Sequence, residues 1–204
     1  MIAYGNLNAR FIDLSQKYDQ STQTNSGNTD SESSGSASDN NSSAQSNSKN
    51  LNKLVGDTTT SVSLSMKLNK IEYPTSIQTT GYDGMPPTLT PKQGNKYLAV
   101  SVEVKNDSKQ PIDLTCSLPL QIRAVNDKDQ QYSTIEKLYD ISGNPQCNAQ
   151  LQPGMSSPIK YVFEMPSDTK TLGVVWQDIS DMNNRGDYAT FVFQKGWTLE
   201  PSDN

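Results

Sequence analysis

Between residues 21 and 50 the chain carries eleven Ser and only two apolar residues, Ala37 and Ala44. A stretch with so little to bury cannot offset the entropy lost on ordering its backbone. Whatever folds here folds after it. The composition predicts a disordered Ser/Asn-rich linker over residues 21–56, with a mean reach of roughly 30–35 Å. One compact domain is expected at 57–197, large enough to bury most of its apolar surface, and a short tail at 198–204. The apolar fraction of 32% averages these unlike regions.

Residues 1–20 carry Tyr4, Leu7, Phe11, Leu14 and Tyr18 at spacings that share one helical face. Two heptads are too short for an independent coiled coil. The segment reads either as an amphipathic docking helix or as a frayed tail. It has no continuous apolar core and no small-residue cleavage site of the kind a secretory signal needs. Nowhere does the sequence offer the roughly 18–20 apolar residues that span a bilayer. Membrane attachment is therefore expected only through a segment not present in this chain.

From Thr60 onward the apolar period is two. Val62, Leu64, Met66 and Leu68 alternate with polar residues, and the parity then shifts to Ile71 and Tyr73. A one-residue shift turns side chains to the other face, which predicts a bulge near Asn69-Lys70. Leu98, Val100, Val102 and Val104 give a second strand ending at the turn Asn106-Asp107-Ser108. Short strands follow at Ile112–Leu114 and Leu120–Ala124. Beyond an irregular stretch holding Ile135, Leu138 and Ile141, further strands carry Ile159–Met165, Leu172–Trp176 and Phe191–Phe193. Seven or so short strands separated by turns predict an all-β, antiparallel sandwich of immunoglobulin-like type.

The chemistry left open is narrow. The chain has no His, so Ser-His-Asp and Cys-His catalysis and imidazole metal sites are excluded. Its net charge is −5 with scattered basic residues, which argues against a nucleic-acid partner. No cofactor and no catalytic residue is expected. Cys116 and Cys147 read as one disulfide in an oxidising compartment, or as two thiols in a reducing one. Asp178, Asp181, Asn183 and Asp187 group enough oxygen ligands for a calcium candidate. Against that, Arg185 interrupts the set and no Glu closes it, as in a solvated hairpin loop. Arg185-Gly186-Asp187 matches an integrin-type tripeptide and equally an ordinary turn. Tyr82, Met85 and Trp197 are candidate contact residues on loops, with packing over the sandwich as the competing role. Trp176 alternates with Val174 and is assigned to the core.

The run Gly94-Asn95-Lys96-Tyr97-Leu98-Ala99-Val100-Ser101-Val102-Glu103-Val104-Lys105-Asn106-Asp107 resembles the hallmark strand of a bacterial telokin-like, immunoglobulin-like family of unknown function. So does Leu151-Gln152-Pro153-Gly154 leading into Tyr161-Val162-Phe163-Glu164-Met165-Pro166. The likeness covers about residues 60–194. It implies a fold similar to that of a mycobacterial secreted immunoprotective antigen, and it carries no catalytic residues. Members are commonly exported or membrane-anchored behind a Ser-rich spacer.

Together these readings lead to a non-enzymatic, monomeric interaction module of the cell envelope or extracellular space, with an unknown protein or cell-wall component as partner. The alternatives are an accessory subunit docking through residues 1–20 and, further off, an enzyme using carboxylates.

Overall fold

The computed structural model describes residues 52–81, 84–116, 119–180 and 188–199. Among the described residues twelve strands run in order: β1 Thr58–Ser61, β2 Leu64–Glu72, β3 Ile77–Gln78, β4 Thr88–Leu89, β5 Asn95–Asn106, β6 Ile112–Asp113, β7 Leu120–Asn126, β8 Gln131–Ser133, β9 Gln150–Leu151, β10 Ser156–Pro166, β11 Thr171–Asp178 and β12 Ala189–Val192. One sheet has the order β1-β2-β5-β10 and faces a second, β12-β11-β7-β8. Pairing is antiparallel throughout both sheets. The all-β sandwich expected from the alternation is the fold, and no described helix is long and apolar enough to cross a membrane.

The alternating residues explain why the sheets face each other. Leu64, Met66, Leu68, Val100, Val102, Val104, Tyr161 and Phe163 project inward from the first sheet against Ile122, Val174, Trp176 and Phe191 of the second. The register of β2 on β5 shifts between Leu68 and Lys70, at the expected bulge. Tyr73, beyond that bulge, is exposed, with the Lys96 ammonium 5.1 Å from its ring centre.

Part of each outer face is covered as well. Ile77, Leu89 and Ile141 lie over Tyr97, Ala99 and Val162 of the first sheet. A 3-10 helix, Leu138–Asp140, organises the irregular stretch and sends Leu138 into the main core. On the second sheet, Leu54, Tyr188, Trp197 and Leu199 cover Val125, Val175 and Val192. Lys53 also pairs in parallel with β12, its N–H donating to the Thr190 carbonyl at 3.1 Å. Residues 52–54, assigned to the linker by composition, are therefore packed against the sandwich.

One expected core position is overturned. Val62 does not face inward: it is the first residue of the two-residue β1–β2 turn, is 39% exposed, and has φ 48°. The inward positions of β1 belong to Thr59 and Ser61. Thr59 Oγ1 accepts the Trp176 Nε1–H at 2.8 Å, and Ser61 Oγ accepts the Asp178 N–H at 2.9 Å. Two hydroxyls thus stitch the sheets together where an alternation of apolar residues is not visible.

The open edge of β10 is closed by a side chain. Asn144 Nδ2 donates to the Lys160 carbonyl at 2.9 Å while its Oδ1 accepts the Lys160 N–H at 2.7 Å. The Ile135 N–H meets the Val162 carbonyl, and Pro158 has no N–H to offer. Such capping removes a template for strand addition.

Tyr161 is an exception to good pairing: its hydroxyl is buried and has no hydrogen-bond partner among the described residues, and burial pushes its pKa up. An unpaired buried hydroxyl costs about 1–3 kcal/mol. Tyr161→Phe should therefore leave stability unchanged or raise it by about 1 kcal/mol in urea unfolding. A loss of more than about 1 kcal/mol would reveal a bond that the hydroxyl makes.

Candidate functional site

At one end of the sandwich three connections converge: the β1–β2 turn, the β5–β6 loop and the β9–β10 turn. Asn106, fully buried at the end of β5, clasps the last two, and the Asp107 N–H meets Ser63 O of the first at 3.0 Å. The Asn106 backbone N–H donates to Met155 O and its carbonyl accepts from Gly154 N–H at 2.7 Å. Its Nδ2 donates to Gln110 O and Leu151 O at 2.8 and 2.9 Å, and Oδ1 accepts from Ser108 N–H and Oγ–H. The asparagine turn and the Pro-Gly turn singled out in the sequence are thus two halves of one clasp. Both motifs are architectural.

A second clasp lies beside it. Cys116 and Cys147 are joined in a disulfide, with Cα atoms 5.3 Å apart. It ties the loop after β6 to the segment before β9, next to the β6–β9 ladder. Buried Asp113 spans the same gap. Its Oδ1 accepts the N–H groups of Thr115 and Cys116 at 2.8 and 3.0 Å, and its Oδ2 accepts the Asn148 N–H at 2.8 Å. Burial alone would push this carboxyl up, but the three backbone donors outweigh it and hold the pKa below its ordinary 3.8.

A depressed folded-state pKa means that Asp113 contributes stability above its unfolded pKa, and that this contribution is lost as pH falls through the folded value. Unfolding midpoints in urea measured from pH 6 down to pH 2 should fall below about pH 4. The decline should be shallower in Asp113→Asn, which cannot titrate. Parallel profiles for the two proteins would rule Asp113 out as a contributor.

Asp113 Oδ, Cys116 Sγ and Cys147 Sγ lie within 4.8 Å of one another, the one group of potential metal ligands among the described residues. With both sulfurs in the disulfide, no thiolate is available there for a metal. Asp178, drawn from the calcium candidate, is buried at the end of β11. Its Oδ2 accepts Ser63 N–H and Oγ–H at 3.1 and 2.7 Å, and its Oδ1 accepts Ser180 N–H at 2.9 Å. It holds the β1–β2 turn against the second sheet. Asp181, Asn183 and Asp187, the Arg185-Gly186-Asp187 tripeptide, Tyr82 and the 1–20 segment lie outside the described residues. Met85 is half-buried. Trp197 is half-buried over Val175 and its neighbours, with the Lys170 ammonium 5.2 Å from its ring centre. Trp197 works as a cover for the second sheet.

Between the clasps opens a groove of about 520 Å³, lined by Ser63, Gln110, Pro111, Ile112, Pro119, Gln150 and Ser180, with Asp113 and Asp178 in its walls. No local sequence pattern marks it, because its walls come from four connections and from strands such as β6 and β9 that are far apart in the chain. Its carboxylates are consumed by internal bonds. The carboxamides of Gln110 and Gln150 are exposed. Val62 adjoins Ser63 at one side, and Met155, 57% exposed, follows the Pro-Gly turn.

The family described as a domain of unknown function, DUF4352, matches residues 53–185. No curated protein matches the chain. Similar solved structures include an uncharacterized β-sandwich protein from Clostridium difficile 630, at 17% identity and TM-score 0.45, covering 70% of this chain and 95% of that one. The yjhA protein from Bacillus subtilis is 12% identical with TM-score 0.46, over 70% of this chain and 99% of that one. The secreted protein MPT63 from Mycobacterium tuberculosis is 16% identical with TM-score 0.38, over 64% and 82%.

Proposed function

The chain belongs to the DUF4352 family, a domain of unknown function, and on that premise we propose that it is a non-enzymatic interaction module of the extracellular space or cell envelope. The observation that carries the reading is the condition of the clasped end. The carboxylates of Asp113 and Asp178 there are spent on holding loops, while Val62 and Met155 stand in solvent. Rigid loops with apolar tips suit contact with another molecule better than chemistry. The Cys116–Cys147 disulfide supports a compartment outside the reducing cytosol. The Ser-rich stretch over residues 21–50 suits a module held at a distance from what carries it.

Two measurements on the full chain in its native cells test this. Thiol trapping of Cys116 and Cys147 should find no free thiol. A photo-crosslinking residue placed at Val62 or at Met155 should give discrete adducts, and the same residue at Val55, exposed elsewhere, should not. Free thiols in the cell would refute the compartment. Equal crosslinking from all three positions would refute the assignment of the contact to this end.

A further inference from the structure

The groove at the clasped end has a character that narrows what it could hold. Its lining includes the apolar Pro111, Ile112 and Pro119 and the carboxamide-bearing Gln110 and Gln150. A carboxamide offers both a donor and an acceptor, the same pair that an extended backbone presents. Among the described residues no Lys or Arg lines the groove, whereas two carboxylates, Asp113 and Asp178, do. Their lone pairs face inward to loop N–H groups, but their negative charge remains and disfavours an anion. Among the described residues no aromatic ring lines the groove, and sugar rings are usually held by stacking on one.

Beside Ser63 stands Val62, a β-branched residue at φ 48°. That left-handed conformation is strained for valine, and asparagine or glycine would adopt it more easily. Strain persists where the surroundings impose it, and it collects at contact sites. Here it holds an apolar side chain out beside the groove.

We propose that this groove binds an extended polypeptide segment of neutral or positive charge, with an apolar side chain of that segment resting on Val62. The inference builds on the interaction-module reading and adds the class of partner. The carboxamides pair with the segment's backbone, the proline and isoleucine side chains take its apolar side chains, and the buried carboxylates select against acidic sequences. Pairing through backbone groups is the usual way an extended peptide gains affinity, with side-chain pockets giving choice.

The test uses a phage-displayed library of random dodecapeptides panned on the full chain, with the enriched sequences made as synthetic peptides. Enriched peptides should be neutral or basic, and their binding should shift amide resonances around Ser63, Gln110–Asp113, Gln150 and Ser180. Gln110→Lys and Gln150→Lys should each weaken a basic peptide about tenfold, and Gln110→Glu should strengthen it. Val62→Asn should weaken binding while raising the thermal midpoint, a combination that damage to the fold cannot produce. Enrichment of acidic peptides, no enrichment, or shifts confined to other surfaces would overturn the proposal. A neutral oligosaccharide such as chitohexaose shifting the same resonances where peptides do not would overturn it in favour of a glycan. If crosslinks from Val62 in cells persist while peptides fail to bind, the interaction module stands and the peptide groove falls. If crosslinks vanish too, both fall.

Discussion

Gly173→Ala should destabilise the domain by at least about 3 kcal/mol, although it adds a single methyl group. Gly173 lies on β11 between Val125 of β7 and Val192 of β12. A Cβ there would sit 2.1 Å from the Phe191 carbonyl oxygen and 2.9 Å from Leu199 Cδ1. The leucine could turn aside; the carbonyl could not. Its strand is pinned on both flanks, by the Val192 N–H to Lys53 O at 2.7 Å and the Phe193 N–H to Leu172 O at 2.9 Å. Making room means shifting β12, breaking the Lys53 pairing and lifting Leu54, Trp197 and Leu199 from the outer face. Overpacking of this kind typically costs 1–3 kcal/mol when side chains can yield, and more when backbone must move. The urea midpoint should fall sharply, with the Trp197 emission shifted to the red in the residual folded state. Adding Leu199→Ala should not rescue it. Full rescue would mean that the leucine, and not the backbone, sets the limit.

The fold was largely written in the period of the apolar residues, and the places where it was not share one cause. Leu64, Met66, Leu68, Val100, Val102 and Phe163 alternate as strands half-buried in a sandwich must, and they are core. Even the bulge after Leu68 showed as a change of parity. Thr59 and Ser61 were missed because a buried hydroxyl looks like surface until its partner is known, and the partners lie 117 residues away. The apparent alternation then extended one residue too far and drew Val62 inward. Lys53 and Leu54 read as linker in the sequence because a short pairing on β12 leaves little periodic trace. The groove was illegible for the same reason on a larger scale. Asn106 reads locally as a turn residue and Asp113 as the polar position of a short strand, and what makes them structural is the Gln110 and Leu151 carbonyls and the Asn148 N–H that the fold brings to them.

The other large effect concerns the Cys116–Cys147 bond. Its two ends are 31 residues apart in sequence, and restricting a loop of that length in the unfolded chain stabilises the fold by about 3–4 kcal/mol. Replacing both cysteines by serine should cost about that much in urea unfolding. The folded state should nevertheless keep its native form, because Asp113 bridges the same gap with bonds to Thr115, Cys116 and Asn148. Asp113→Ala in the disulfide-bonded protein leaves those N–H groups in a geometry that the sulfurs still fix. In the serine variant the same change leaves only the short β6–β9 ladder and the Thr115 Oγ–H to Gln146 O bond to join the two segments. The two losses should therefore exceed their sum when combined, as they do for contacts that share one structural task. A double-mutant cycle on the urea midpoints gives the coupling directly. Strict additivity would show that carboxylate and disulfide hold separate parts of the loop. A cysteine-to-serine loss below about 1 kcal/mol would show that the unfolded chain is already compact there.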